Sequence, residues 1–317
     1  MEGDLLGQLA KVISESRETV RDEEILLFAG LSDQEIDSIF PLWSKASFQR
    51  KNTIISRLVA MSKENVDLEF TAFFKRCTQD LSSEVRESAI AGLWESEDRG
   101  IVPLLLTCLS SDPDSRVRAA AAVELGRFVT LAEEQKLLTR DRDVLYEGLM
   151  GALTSVEEVS IVKRRSLESI SAFTSMEVDK WIAWAHQQGG DFHQSALYAM
   201  GRTCDSKWIS WILQDLDSMD PSIRCEAVNA CREIGGQLCV PKLMNLVEDE
   251  ELEVQIAAIW ALASVGGDQI RIYLEQISNS IDNADLIEVI EAALSITDLD
   301  ELPVSAVNPL LNLDNRN

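Results

Sequence analysis

The sequence predicts an all-α fold, a solenoid of about seven to eight helical hairpins packed side by side. Three observations predict it. The stretch 221–267 states one unit twice, Val254 falling 31 residues after Ile223. Each copy carries a helical stripe, Ile223, Ala227, Ala230 and Ile234, then Val254, Ala258, Ala261 and Val265, closed by a glycine pair. The middle of each stripe is alanine, which lets neighbouring helices approach closely, so these read as contacts between units, none of which buries its apolar face alone.

Within the first copy, a turn at Gln237 leads into a shorter amphipathic helix, 240–247, with Pro241 in its first turn, where a missing N–H costs nothing. The other segments follow in chain order. Residues 1–46 lack a clear repeat and read as an N-terminal helical cap. Leu5, Leu9, Val12 and Ile13 form one stripe, and Ser32 with Glu35 forms a capping box for a second helix that should break at Pro41. From 48 to 61, Arg50, Lys51 and Arg57 alternate with Ile54, Ile55 and Leu58, and 70–77 supplies the partner helix.

The key apolar position then recurs at Val85, Val117, Val162, Phe192, Ile223, Val254 and Leu286, with intervals of 32, 45, 30, 31, 31 and 32 residues. The single long interval places an insertion near 132–157, read as a solvated loop that holds Thr139, Arg140, Asp141, Arg142 and Asp143, with recognition as the alternative. The solenoid thus spans 47–296. From 297 to 317 the pattern stops and an extended tail or partial cap is expected.

At this point the chain resembles the HEAT-repeat family. The carrying residues run from Asp80 through Val85 and Arg86 to Ala89, from Asp112 and Pro113 through Val117 and Arg118 to Ala121, from Ile223 and Arg224 to Ala227, and from Asp249 through Val254 to Ala258. The resemblance implies a right-handed α-α superhelix of antiparallel helix pairs whose second helices line a concave face. It names no function, because such scaffolds serve adaptor, transport and enzymatic roles.

Arg86, Arg118 and Arg224 each follow the key apolar residue, and Asp80, Asp112 and Asp249 lie five residues before it in their copies. An aspartate in a turn and an arginine in the next first turn can pair across adjacent repeats, so these six read as a structural ladder, with an anion-binding row as the alternative. Positions three, six and ten residues after the key residue share one side of each second helix. The polar and aromatic rows among them supply a candidate binding surface, Arg165, Glu168, Tyr198, Arg202, Glu226, Asn229 and Trp260. The competing reading packs Trp260 between helices and leaves the charges as a solvated, self-paired face. Trp181, Trp184, Trp208 and Trp211 come as pairs spaced three apart, which favours core packing over an exposed groove.

Composition narrows the function classes. With 54 acidic against 29 basic residues the net charge is −25, which repels a phosphate backbone, so nucleic acid is not expected as a partner. The six cysteines form no Cys-x-x-Cys pair and read as reduced thiols. The longest apolar run, 101–109, is too short to span a bilayer, so no membrane association is expected and the default is a cytoplasmic protein.

Catalytic equipment is not visible. The metal-dependent hydroxylases built on HEAT-like repeats use recurrent His-Glu pairs, and here His186 and His193 are each followed by glutamine. Those two histidines could share a metal with Asp191, a weak three-residue set, and no cofactor is expected. The reading is therefore a non-enzymatic scaffold that holds an unidentified protein or peptide on its concave face. Two alternatives are a bilin-lyase type of chromophore chaperone, suggested by the alanine-rich second helices, and a DNA-glycosylase-like protein, disfavoured by a basic cluster limited to Lys163, Arg164 and Arg165.

Overall fold

The computed structural model describes residues 2–300 except 16, 18 and 97; side chains are described from 5 to 295, so expectations for the tail beyond 300 lie outside the described residues. Every regular element among them is helical, and the chain divides into two compact units, 1–173 and 174–317.

The first unit holds α1 (Glu2–Ser14), α2 (Asp22–Ile25), α3 (Asp33–Lys45), α4 (Phe48–Glu64), α5 (Thr71–Cys77), α6 (Ser83–Ala91), α7 (Ile101–Ser111), α8 (Ser115–Glu133), α9 (Thr139–Thr154) and α10 (Ser160–Ile170). Helices α4, α6, α8 and α10 pack side by side in chain order, and α5, α7 and α9 fold back against α6, α8 and α10. The repeat sets this register. Val85, Val117 and Val162 are each fully buried at the start of a second helix, with Ala89 and Ala121 one turn on. A Cβ on Gly126 of α8 would meet Ser169 of α10 at 2.8–3.2 Å, so this crossing needs a residue without a side chain.

Three expectations are corrected here. Helix α3 does not stop at Pro41 but runs to Lys45. Trp43, fully buried two residues further on and donating to Asp80, anchors that last turn and offsets the backbone bond that proline forgoes. The segment 70–77 is not the partner of α4; α5 packs on α3 and α6 and is the first helix of the next hairpin. The long interval is not a loop. Helix α8 runs for 19 residues and α9 for 16, and Thr139, Arg140, Asp141, Arg142 and Asp143 form the first turns of α9. Arg142 lies over the Phe173 ring at 4.8 Å and donates to Glu133, so charge that looked like loop solvation lies along helical packing.

The second unit holds α11 (Met176–Gln188), α12 (Gly190–Arg202), α13 (Ile209–Asp215), α14 (Pro221–Ile234), α15 (Val240–Leu246), α16 (Leu252–Val265), α17 (Asp268–Ser280) and α18 (Ala284–Asp300). Helices α12, α14, α16 and α18 pack in succession, each with its preceding helix folded back on it. Ala227, Ala258 and Ala261 are fully buried and Ala230 is 1% exposed. Helix α14 ends where Gly235 takes the left-handed conformation, φ 68°, and the chain reverses through Gly236. That reversal returns Cys239 to Cys231, and the two form a disulfide with Cα atoms 6.3 Å apart. The thiol reading is therefore corrected for this pair; Cys77, Cys108, Cys204 and Cys225 are unpaired, with Cys77 buried and Cys204 exposed.

Glu124 on α8 gives the first unit a pH response. Burial pushes its carboxyl up to about 7, against the opposing pull of Arg127 and Lys63. The folded state thus holds this proton more tightly than the unfolded chain. The associated stability is present below the ordinary carboxylate range and is lost as pH rises through about 7. Glu124→Gln is expected to stabilise the protein at pH 8 by roughly 1–3 kcal/mol and by much less at pH 5, measured by urea unfolding at both pH values.

Candidate functional site

Two constellations carry the side chains singled out from the sequence. The first is the set of turn carboxylates and arginines. Arg86 donates through Nε and Nη2 to both oxygens of Asp112 at 2.7 Å, and through Nη1 to the carbonyls of Asp80 and Leu81. Arg224 does the same to Asp249 at 2.8 and 2.7 Å and to the Ser218 carbonyl. Each guanidinium thus ties its own turn to the carboxylate of the next hairpin in a bidentate fork. Asp112 and Asp249 also accept the backbone N–H two residues on, which fixes each turn.

The other members depart from this scheme. Arg118 bridges to Glu158 at 2.8–2.9 Å, because the lengthened hairpin brings a glutamate to its fork. The Asp80 carboxylate pairs with a lysine and not an arginine. It accepts from Lys51 Nζ and Trp43 Nε1, both at 2.8 Å. Hydrogen bonding raises the Arg86, Arg118 and Arg224 guanidinium values, from Asp112, Glu158 and Asp249 respectively.

The second constellation is a groove of about 300 Å³ between α12 and α14, lined by Tyr198, Arg202, Glu226, Asn229, Arg232 and Glu233 around Gly201 and Ala230. Its shape follows from the smallest residues. A Cβ on Gly201 would lie 3.0 Å from the Ala230 Cα and 3.3 Å from the Glu233 Cβ, so the two backbones nearly touch at the floor. The longer side chains must then splay to the rim. Tyr198 is 44% exposed there, an aromatic with a polar tip, flanked by two guanidinium and two carboxylate groups and one amide.

Four of the seven predicted surface residues, Tyr198, Arg202, Glu226 and Asn229, therefore meet in one place. The other three do not join them. Trp260, on α16, is partly buried and is not among the groove's walls. Arg165 and Glu168 belong to α10 of the first unit, where Arg165 Nη1 donates to Glu168 Oε2 at 2.5 Å. The sequence reading missed Arg232 and Glu233. Glu233 was at hand, sharing the helix side of Glu226 and Asn229, whereas Arg232 lies one residue off that side, in the last turn of α14.

The tryptophans divide. Trp208 is 5% exposed and packs edge-on to Trp211, while Trp184 is 37% exposed between Trp181 and Phe192. His186 and His193 come together, ring centroids 4.1 Å apart, but the carboxylate that joins them is Asp215 of the next hairpin and not Asp191. Burial pushes the Asp215 carboxyl up, and the two imidazoles together hold it below its ordinary value.

A sequence profile of the family described as HEAT repeats matches residues 70–147 and 190–295, more than half of the chain. The chain belongs to the HEAT-repeat family. No curated protein sequence matches this HEAT-repeat chain. Among solved structures it is similar to YibA of E. coli, at 16% identity over 77% of this chain and 96% of that one, with a TM-score of 0.44. It is also similar to importin beta, at 12% identity over 93% of this chain and 46% of that one, TM-score 0.48. A designed armadillo repeat protein in complex with the peptide (KR)4 matches at 18% identity over 62% of this chain and 99% of that one, TM-score 0.39. No described helix of this HEAT-repeat protein is long and apolar enough to cross a membrane.

Proposed function

We propose that this HEAT-repeat protein is a non-enzymatic scaffold that holds a segment of another protein on the second helices of its C-terminal unit, with the groove at Tyr198, Arg202, Glu226 and Asn229 as the contact. The groove carries this reading. It combines an exposed aromatic, paired guanidinium groups and an amide above a floor of Gly201 and Ala230, and exposed tyrosine and arginine supply much of the energy of protein interfaces where they are enclosed. Both signs of charge line it, so a segment of mixed charge fits better than a polyanion. Four free thiols suit a reducing, cytoplasmic setting; the Cys231–Cys239 pair is the exception.

The test is affinity purification of the native complex from its own cells, repeated with Tyr198→Ala and Arg202→Glu. Both residues reach the rim, so folding is expected to persist by circular dichroism. Recovery of the partner is expected to fall by a factor of roughly ten or more, the effect of losing one interface anchor. Unchanged recovery with folded variants rejects the groove. A purified chain that gains a visible absorption band with a bilin, or that binds DNA at low salt, replaces the scaffold reading altogether.

A further inference from the structure

Helix α11 carries His186 in its last turn and α12 carries His193 in its first. The reversal between them runs through Gly189 at φ 74° and Gly190 at φ 53°, left-handed positions that glycine adopts without a steric penalty. That tight turn brings the two imidazoles face to edge. One hairpin further on, Asp215 ends α13 and is 8% exposed, and its Oδ2 lies 2.7 Å from His186 Nε2 and 3.1 Å from His193 Nε2. The three donor atoms lie within 4.8 Å of one another, and this is the one such His, Cys, Asp or Glu group among the described residues.

Hydrogen bonding accounts for only part of this convergence. His186 Nε2 makes a hydrogen bond to Asp215, but His193 Nε2, fully buried and 3.1 Å from the same oxygen, is aligned for none. A buried ring nitrogen whose nearest acceptor is a misaligned carboxylate oxygen is poorly satisfied, and a cation between the two satisfies both. The apolar surround sharpens that need. His186 stacks edge-on to Trp211 at 4.8 Å, and Trp211 packs on Trp208. A cation placed among three converging donors takes up the nitrogen lone pair and the buried carboxylate charge together.

The geometry points to a divalent transition-metal site formed by His186, His193 and Asp215. Two imidazoles and one carboxylate suit Zn²⁺ and ions of similar preference. Metal bonds of about 2.0–2.1 Å in a tetrahedral arrangement need donor separations near 3.3 Å, so small side-chain rotations suffice to open the present 2.7 and 3.1 Å spacings. Three protein ligands leave a fourth position for water or for a donor from a bound molecule. The metal would also staple α11, α12 and α13, joining two hairpins on the side of the first helices.

The test uses the full chain, stripped with a chelator and titrated with Zn²⁺ alone by calorimetry, then with Co²⁺ followed by visible absorption. The expected result is a single tight equivalent of metal, Co²⁺ bands of four- or five-coordinate nitrogen and oxygen ligation, and a raised melting temperature with Zn²⁺. His193→Gln removes the nitrogen that makes no hydrogen bond, so it is the variant least apt to unfold, and its affinity is expected to fall at least about a hundredfold. A stripped wild-type chain that takes up no metal overturns the site. So does a folded His193→Gln or Asp215→Asn chain that binds with wild-type affinity, because the metal then sits elsewhere.

Discussion

Lys51→Met is expected to destabilise the protein by about 3–5 kcal/mol, the cost of breaking a buried ion pair from one side. The Lys51 side chain is 6% exposed and that of Asp80 2%. One oxygen of Asp80 accepts from Lys51 Nζ and Trp43 Nε1, and the other from the Ser82 backbone N–H. Without the ammonium group the carboxylate keeps only neutral donors in a site that water does not reach, and methionine fills the space of the lysine stem without supplying charge. Urea unfolding measures the loss. Adding Asp80→Asn to Lys51→Met is expected to recover at least half of it, since a neutral amide no longer needs a counter-charge. If Lys51→Met costs under about 1 kcal/mol, the pair behaves as a solvated surface bridge and the account of this site is wrong.

The same pair shows what the sequence made legible and what it did not. Alanine and valine stripes recur at fixed intervals, and a repeat needs nothing beyond its neighbour to be read, so the helical stack was visible from Ile223, Ala227, Val254 and Ala258 alone. Lys51 and Arg50 were not legible as buried. They fall on a basic, alternating stretch that suggests a solvated face. Arg50 in fact donates to the carbonyls of Val12, in the last turn of α1, and of Arg17 and Thr19, in the irregular chain after it, a set of acceptors that no periodic pattern announces.

The site followed the same division. Tyr198, Arg202, Glu226 and Asn229 share one side of adjacent second helices by simple helix geometry, so the sequence placed them together. Asp215 escaped because the copies were aligned on their second helices. It lies on a first helix, 29 residues past His186, and the relation of one first helix to the next becomes visible only once the hairpins are folded.

The ladder joins hairpins and not the interior of any one of them, so its loss should act on the coupling between neighbours. Arg224→Gln is expected to cost about 2–4 kcal/mol, because Asp249, 7% exposed in its side chain, loses a two-pronged partner and the Ser218 carbonyl loses its donor. Asp249→Asn should cost less, since the amide oxygen still accepts from Arg224 and from the Glu251 N–H. A double-mutant cycle on urea unfolding is expected to give a coupling of roughly 1–3 kcal/mol for the pair. Acid should erode it. Burial pushes the Asp249 carboxyl up, but Arg224 and the turn N–H groups more than offset this and hold it below its ordinary value. The folded state therefore binds that proton less readily than the unfolded chain, and the coupling is present above the ordinary carboxylate range and lost as pH falls below it. In a stack where each hairpin touches only its neighbours, weakening one junction also loosens cooperativity. Arg224→Gln should accordingly broaden the unfolding transition and lower its denaturant slope, with hydrogen exchange rising first in α15 and α16 beyond the cut. An unchanged slope together with a coupling near zero would make the ladder a set of independent turn braces, each fixing its own Asp turn and transmitting nothing along the stack.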